Sequence, residues 1–372
     1  MEQVLVERPD GAVVSASRKV WESVYRSRGF KLVEVIRPEP SIRFLASDLK
    51  GGGRIRSRWP AEALMRLGYN SQSTIGWPGF STRGVAVIHR PIAPDYAPED
   101  VLDWIKRYRK WGIPVLVDED DDIGRIPSTN TWRASRQQIK FHDWAIGEAD
   151  GLIVTTQRLE EVYGPLASRV WRVPNFLPAR IAPSILNGNP PPSQVRVGWA
   201  GVVDTHLHDL QWFAPVVRQA MQDAIFVSVG DKRVPGVLGL NPGEYKVAPW
   251  VQDELSFYKL MGQCDIGIVP LKPILFNEAK SNLKVREFLA LGKPVVVTDL
   301  PDQRELLEGT GAGILVKGPR EFADAVQTLV HDVALRERMT QAAIELGRGI
   351  TLERNADRWL APLDAIGKDG GG

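Results

Sequence analysis

A single cysteine, Cys264, in 372 residues excludes an intramolecular disulfide and fits a reducing, cytoplasmic compartment. No apolar run approaches the ~18 residues of a membrane span, and the N-terminus lacks the basic-then-apolar pattern of a secretory signal. Net charge is only +2, so the molecule as a whole does not advertise a polyanionic partner. There is no repeat at solenoid periods, and low complexity is confined to the tail "GKDGGG". What remains is an ordinary globular composition, 43% apolar and 25% charged, in a chain too long for one core. Two domains follow.

Short β-branched runs recur, each followed by a helical pattern. The first set is 42–46, 85–89, 114–117, 151–155 and 170–173; the second is 195–200, 225–229, 245–247, 265–270, 294–298 and 313–316. Strands buried on both faces and separated by helices imply parallel βαβ units. The expected class is α/β, with two doubly wound, Rossmann-like domains at 41–187 and 194–350. The stretch "NGNPPPSQ" (187–194) reads as their linker, and 351–372 as a final helix and tail. Residues 1–40 read as strand, Asp-Gly turn, strand, short helix and strand, a small appended segment. That segment either covers a sheet edge or presents Arg18, Lys19, Arg26, Arg28 and Lys31 to an anion.

Doubly wound sheets bind ligands at the carboxyl ends of their strands, so the loops there matter most. In "VRVGWAGVVDTHLHDL" (195–210) the first strand of the second domain ends on Gly201 and Val202. Without a Cβ, Gly201 lets a phosphate approach the backbone. His206 and His208 follow, in a loop ahead of a helix near 209–221, as donors to a diphosphate or as solvated loop residues. Two histidines at i, i+2 with no cysteine nearby make a poor zinc set. In "AKSNLKVREFLALGKPVVVTD" (279–299), Ser281 reads as the N-cap of a helix over 282–291. Lys280, Ser281 and Asn282 then offer an anion a charge, a dipole and free N–H groups. Glu287 suits a pair of ribose hydroxyls, or else pairs with Lys284 on a solvated face.

These residues carry a resemblance. "GWAGVVDTHLHDL", "VAPWVQDELSFYKLMGQCDIGIVPL" and "NEAKSNLKVREFLALGKPVVVTDLPDQRELL" resemble the nucleotide-sugar domain of GT-B glycosyltransferases, family 4 above all. "IRFLASDLKGGGRIRSRWPAEALMRLGY" resembles that fold's first strand, glycine-rich loop and first helix. The resemblance implies that Glu287 holds the donor ribose, Gly201 lies by the diphosphate, and backbone groups of Trp250 and Val251 read the base. Lys280 and Lys232 become candidates for neutralising the leaving diphosphate. The family's first glutamate is replaced here by Ala279. Its Arg-and-Lys pair after the first strand is absent, with His206 and Lys232 in its place, and His206 is assigned a catalytic part.

In the first domain "VDEDDD" (117–122) ends a strand, and the resemblance implies that Asp120 or Asp121 orients an acceptor hydroxyl. The alternatives are a solvated acidic loop or a divalent-metal site. GT-B enzymes generally work without a metal, so no metal and no cofactor beyond the donor is expected. The stretch 48–59, with Gly52, Gly53, Arg54, Arg56 and Arg58, reads as a long anion-facing lid or else a mobile surface loop, while His89 and Arg90 end the second strand and face the cleft. The implied activity is transfer of a hexose from a UDP-sugar, UDP-glucose first, with retention. Two domains would close on the donor about the 187–194 hinge, and the last helix would cross back to the first domain. For the acceptor, the basic opening segment resembles a short module of phage proteins and points to a 5-hydroxymethylpyrimidine in phage DNA. A glycan, lipid or small-molecule acceptor is the alternative. So are a nucleotide-sugar epimerase and a non-catalytic sugar-nucleotide- or DNA-binding protein.

Overall fold

The computed structural model describes residues 3–7, 9, 13–35, 41–48, 51–75, 84–92, 97–181, 194–251 and 253–367. The chain forms two compact units. Met1–Asp120, Ser135–Pro178 and Leu352–Gly372 make the first; Asp121–Ala134 and Ala179–Thr351 make the second. The expected linker lies almost wholly outside the described residues.

The first unit opens with β1 (Gln3–Glu7), β2 (Val13–Ser17) and β3 (Lys31–Val35), an antiparallel sheet in the order β2-β1-β3. The Asp-Gly turn between β1 and β2 lies outside the described residues. A parallel sheet follows from β4 (Ser41–Leu45), β5 (Asn70–Thr74), β6 (Gly84–His89), β7 (Val115–Glu119), β8 (Gly151–Val154) and β9 (Val170–Arg172). Its order, β5-β4-β6-β7-β8-β9, reverses between β4 and β6, which places a switch point at the carboxyl ends of those two strands.

The second unit is built on β10 (Val195–Ala200), β11 (Ala224–Gly230), β12 (Tyr245–Pro249), β13 (Ile266–Val269), β14 (Val295–Thr298) and β15 (Gly313–Val316). All six run parallel in the order β12-β11-β10-β13-β14-β15, the Rossmann arrangement, with its switch point between β10 and β13. β14 shows why the runs were readable. Val295, Val296 and Val297 are each 0% exposed, and burying each contributes about 1.5–3 kcal/mol before entropy is counted. The helix Leu283–Ala290 buries Val285, Phe288 and Leu289 at helical spacing. Gly267 of β13 leaves the room that the Phe288 ring fills.

Four local expectations change. The polar segment "NSQST" is an edge strand, β5, that alternation of apolar residues does not reveal. The expected lid over 48–59 is helical: Gly51–Gly53 leads through a π-helical turn, Arg54–Arg58, into the helix Trp59–Arg66. Three glycines disfavour a helix on propensity, but Ile55, Ser57 and Trp59 are buried and tertiary packing overrides it. The helix after β10 begins at Val203, not near 209, because Asp231, 28 residues away, accepts the Val203 N–H at 2.9 Å. Residues 121–134 group with the second unit, so the first is not contiguous over 41–187. Residues 352–367 belong to the first unit, where Trp359 packs edge-on to Phe44 at 5.6 Å. No helix among the described residues is long and apolar enough to cross a membrane.

Candidate active site

The carboxyl edge of the second unit is built around Asp209. This carboxylate is 1% exposed and lies on the helix Val203–Phe213. Its Oδ1 accepts from the Lys272 N–H at 2.9 Å and from Asn277 Nδ2 at 2.7 Å; its Oδ2 lies 2.9 Å from His206 Nδ1. His208 Nε2 is 3.2 Å from Oδ1. His206 stands edge-on to Trp199, centroids 5.9 Å apart, beside Gly201. A Cβ on Gly201 would come within 2.8 Å of the Trp199 ring, so only glycine fits this turn. Both histidines therefore sit in the first turns of a helix and not in a loop. Burial holds His208 below its ordinary value, against the pull of Asp209 and with Lys280 nearby adding to the depression.

Other candidates on this edge are more mixed. Val202 is the N-cap residue of that helix. Lys280 pairs with Asp121 at 3.6 Å and lies over the Phe276 ring at 4.6 Å. Ser281 is not the N-cap, because that position falls on Asn282, whose own side chain is spent on structure. The Asn282 amide donates to the Asp302 carbonyl at 2.8 Å, and its oxygen accepts from Arg286 at 2.5 Å. Glu287 is 1% exposed, its oxygens held by Tyr258 Oη at 3.0 Å and Lys284 Nζ at 2.6 Å. It sits on neither a solvated face nor an open surface. Trp250, at the end of β12, is 46% exposed and lies against Phe257 with centroids 5.5 Å apart; Val251 beside it is half-buried. Lys232 is exposed, while its neighbour Arg233 binds Asp204 and Asp231. Hydrogen bonds from Arg233 come first among the causes that bring the Asp231 carboxyl down to about 2.

The first unit gathers a second cluster at its own switch point. Ser47 Oγ is 2.8 Å from His89 Nδ1, and His89 Nε2 is 3.1 Å from Asp120 Oδ1. Arg90 donates to the same Asp120 oxygen at 2.5 Å. Burial opposes ionisation of Asp120, but Arg90 and His89 outweigh it and hold the carboxyl well below the usual range. Arg90 adopts φ 50°, a left-handed conformation that a non-glycine residue holds only when its surroundings enforce it. Gly53 has no room for a side chain, since a Cβ would overlap the Asp48 carbonyl, and Gly52 lies directly against the His89 ring. Arg54 stacks on Trp59 at 5.2 Å and Arg58 reaches Glu62 at 3.6 Å, so neither is part of a loop lid. Arg56 is fully buried, bonded to Asp118 at 2.5 and 3.0 Å.

The run 118–122 is neither a solvated loop nor a shared cation cage. Each acid has its own base: Asp118 has Arg56, Glu119 has His142, Asp120 has Arg90, Asp121 has Lys280 and Asp122 has Arg125. Among the described residues no group of three or more His, Cys, Asp or Glu side chains is arranged to hold a metal ion. Asp209 was within reach of sequence reading as the i+3 neighbour of His206, had the helix start been placed at 203. Asn277, Ser47 and Asp231 gave no local signal.

The chain is similar to known proteins in part of its sequence and in its fold. Residues 194–332 match the family described as Glycosyl transferases group 1. A stretch of 74 residues is 38% identical to TuaH of Bacillus subtilis (strain 168), named as a teichuronic acid biosynthesis glycosyltransferase. That stretch is 20% of this chain and 16% of the relative's length. Sucrose-phosphate synthase from Thermosynechococcus elongatus is similar in fold, with a TM-score of 0.66 and 12% identity over 89% of this chain and 100% of that one. Anabaena Alr3699/HepE, solved with UDP and glucose, gives a TM-score of 0.63 and 14% identity over 88% of this chain and 100% of its own. The two Rossmann-like units share their fold with these structures.

Proposed function

We propose that this chain, which carries a glycosyltransferase group 1 domain at residues 194–332, transfers a hexose from a UDP-sugar to a hydroxyl acceptor. The observation that carries the reading is a coincidence of place. The matched domain is the one whose carboxyl edge collects Gly201 just after β10, His206 on the helix Val203–Phe213, Trp250 just after β12, and Lys280 shortly before the helix Leu283–Ala290. In this reading Trp250 and Val251 take the base, and Glu287 with Tyr258 defines the ribose end. Gly201, Val202, His206, Lys280 and the N-terminus of the helix Leu283–Ala290 face the diphosphate. Lys232 and Ser281 lie at the margin.

The reaction is read as retaining and metal-independent, on the resemblance to family 4. The C1–O bond to the β-phosphate breaks, its electron pair passing to the phosphate oxygen. The acceptor oxygen forms the new bond to C1, and the acceptor's proton ends on that same phosphate oxygen. Positively charged side chains fixed in advance stabilise the charge that develops there. The Asp120 carboxylate, fixed by Arg90 and His89, orients the acceptor hydroxyl.

A 5-hydroxymethylpyrimidine in DNA is the acceptor we favour, supported by the exposed Lys19, Arg26 and Arg28 of the N-terminal segment. A glycan acceptor is the second reading, favoured by the likeness to TuaH. Both are tested by incubating the protein with pooled UDP-sugars and DNA carrying hydroxymethylated cytosine or uracil, then weighing the nucleosides by mass spectrometry. A hexose-sized gain supports donor, enzyme and acceptor together. Donor consumed without a gain removes DNA and turns the search to glycans. Neither gain nor consumption, with no UDP bound, removes the glycosyltransferase reading.

A further inference from the structure

The chain lacks the Arg-and-Lys pair that its resemblance would place after β10, yet it does not leave the diphosphate end of that edge without a designed group. Asp209 is buried, sits one helical turn beyond His206 and bonds to its Nδ1. Asn277, 0% exposed, and the Lys272 N–H hold the other Asp209 oxygen, so the carboxylate cannot rotate away. Nδ1 of His206 must therefore carry its proton, and Nε2 is the nitrogen left for a ligand. Among the described residues Nε2 has no hydrogen-bond partner. The His206 side chain is 18% exposed, beside Gly201.

We propose that Asp209 is a positioning residue that makes His206 the cation for the departing diphosphate, with Asn277 as the brace that fixes Asp209. The inference rests on the UDP-sugar reading above. With Nδ1–H committed to Asp209, protonation of the ring puts its second N–H on Nε2, aimed at the anion, and the positive charge is neutralised on the far side by a fixed carboxylate. As the C1–O bond breaks and the electron pair moves onto the phosphate oxygen, Nε2–H donates to it, while the acceptor's proton completes the balance. His206 keeps its proton throughout. Of the charged groups on neighbouring segments, His208 lies on the same helix and feels Lys280, which is paired with Asp121, and Asp204 is paired with Arg233.

Asp209→Asn separates positioning from mere structure. Its oxygen must stay where Lys272 and Asn277 donate, so the new Nδ2 faces His206 Nδ1 and forces that nitrogen to be unprotonated. The ring becomes a neutral Nε2–H donor. UDP binding is measured by calorimetry from pH 8 to pH 5.5 for the wild type, Asp209→Asn and His206→Gln, with ¹⁵N spectra of the His206 ring. Wild-type affinity should exceed that of either variant, by roughly tenfold where the difference is largest, because only the wild type can present an imidazolium backed by a carboxylate. Comparing proteins at each pH cancels the titration of UDP itself. The ring signals should report Nδ1–H in the wild type and Nε2–H in Asp209→Asn. Equal affinity of all three proteins at every pH, or an unchanged tautomer, overturns the positioning role while leaving UDP binding intact. Absence of UDP binding by the wild type overturns the donor reading and this inference with it. Should Asp209→Asn fail to fold, His206→Gln keeps the test alive, since wild-type affinity in that variant is equally fatal.

Discussion

Raising the pH from 6.5 to 9 should loosen the first unit, and His142 is the reason. The ring lies wholly buried on the helix Arg136–Glu148, Nε2 2.9 Å from Glu119 and Nδ1 3.2 Å from Asp143, edge-on to Tyr163. Burial by itself would strip its proton. The hydrogen bonds and charges of Asp143 and Glu119 outweigh burial and lift the imidazole to about 9. In the unfolded chain it returns to about 6.5. The folded protein thus holds the proton more tightly. That contribution is complete below about pH 6.5 and is lost as pH rises through about 9. The difference amounts to about 3 kcal/mol.

For a unit of this size each kcal/mol moves the midpoint by roughly 2–4 °C, so a fall of roughly 6–12 °C is expected. Scanning calorimetry at pH 6.5, 7.5, 8.5 and 9 measures it, and His142→Gln is the control. That variant leaves Glu119 buried without its cation, costs about 3–5 kcal/mol at pH 6.5, and should flatten the pH dependence. The control matters because Cys264 of the second unit, pushed up by burial to about 12, adds its own alkaline loss once unfolded thiols ionise. A midpoint for the first unit that stays level over this range in the wild type, or falls equally in His142→Gln, refutes the reasoning.

Trp250→Ala should weaken UDP binding roughly tenfold, the scale of one lost base–aromatic stack, with little change in melting because the side chain is 46% exposed. Glu287→Ala should cost the second unit about 1–3 kcal/mol by leaving the buried Tyr258 hydroxyl without its acceptor, and should weaken UDP as well. Unchanged UDP affinity well below the melting transition removes Glu287 from the donor site. Gly267→Ala drives a methyl into the Phe288 ring and should cost about 1–3 kcal/mol, read as a lower midpoint for the second unit; a neutral outcome would mean the helix Leu283–Ala290 can shift on its sheet.

Legibility followed the range of the interactions. Strands buried on both faces announced themselves, because the valine and leucine runs 115–117 of β7 and 295–297 of β14 are buried without a solvent-facing side. β5 did not, since an edge strand can be Asn-Ser-Gln-Ser-Thr and still pair through its backbone with β4. The histidines were recognised as chemistry but misplaced. The carboxylate that starts their helix, Asp231, comes from beyond the next strand, and no local pattern can supply a cap from 28 residues away. The glycine run failed for the opposite reason: local propensity spoke clearly and was overruled by burial of Ile55, Arg56 and Trp59.

The acidic run shows what such distance costs a sequence reader. Five like charges in a row should repel and favour solvent, and taken alone they suggest either a mobile loop or a cation site. Five bases, four of them distant in sequence, turn the run into separate pairs, three reached by residues of the first unit and two by residues of the second. The consequence is testable in the assignment of Asp120 and Asp121, which sequence reading could not tell apart. Asp120 is held by two bases of its own sheet edge, Asp121 by the lysine of the donor-side cluster. Asp120→Asn should therefore lower turnover while leaving UDP affinity within about twofold, because the bases that hold it, His89 and Arg90, belong to the first unit. Asp121→Asn should instead tighten UDP binding by releasing Lys280, about threefold for a partly exposed ion pair. Both are read by calorimetry and steady-state kinetics, and the opposite assignment of effects would exchange their roles.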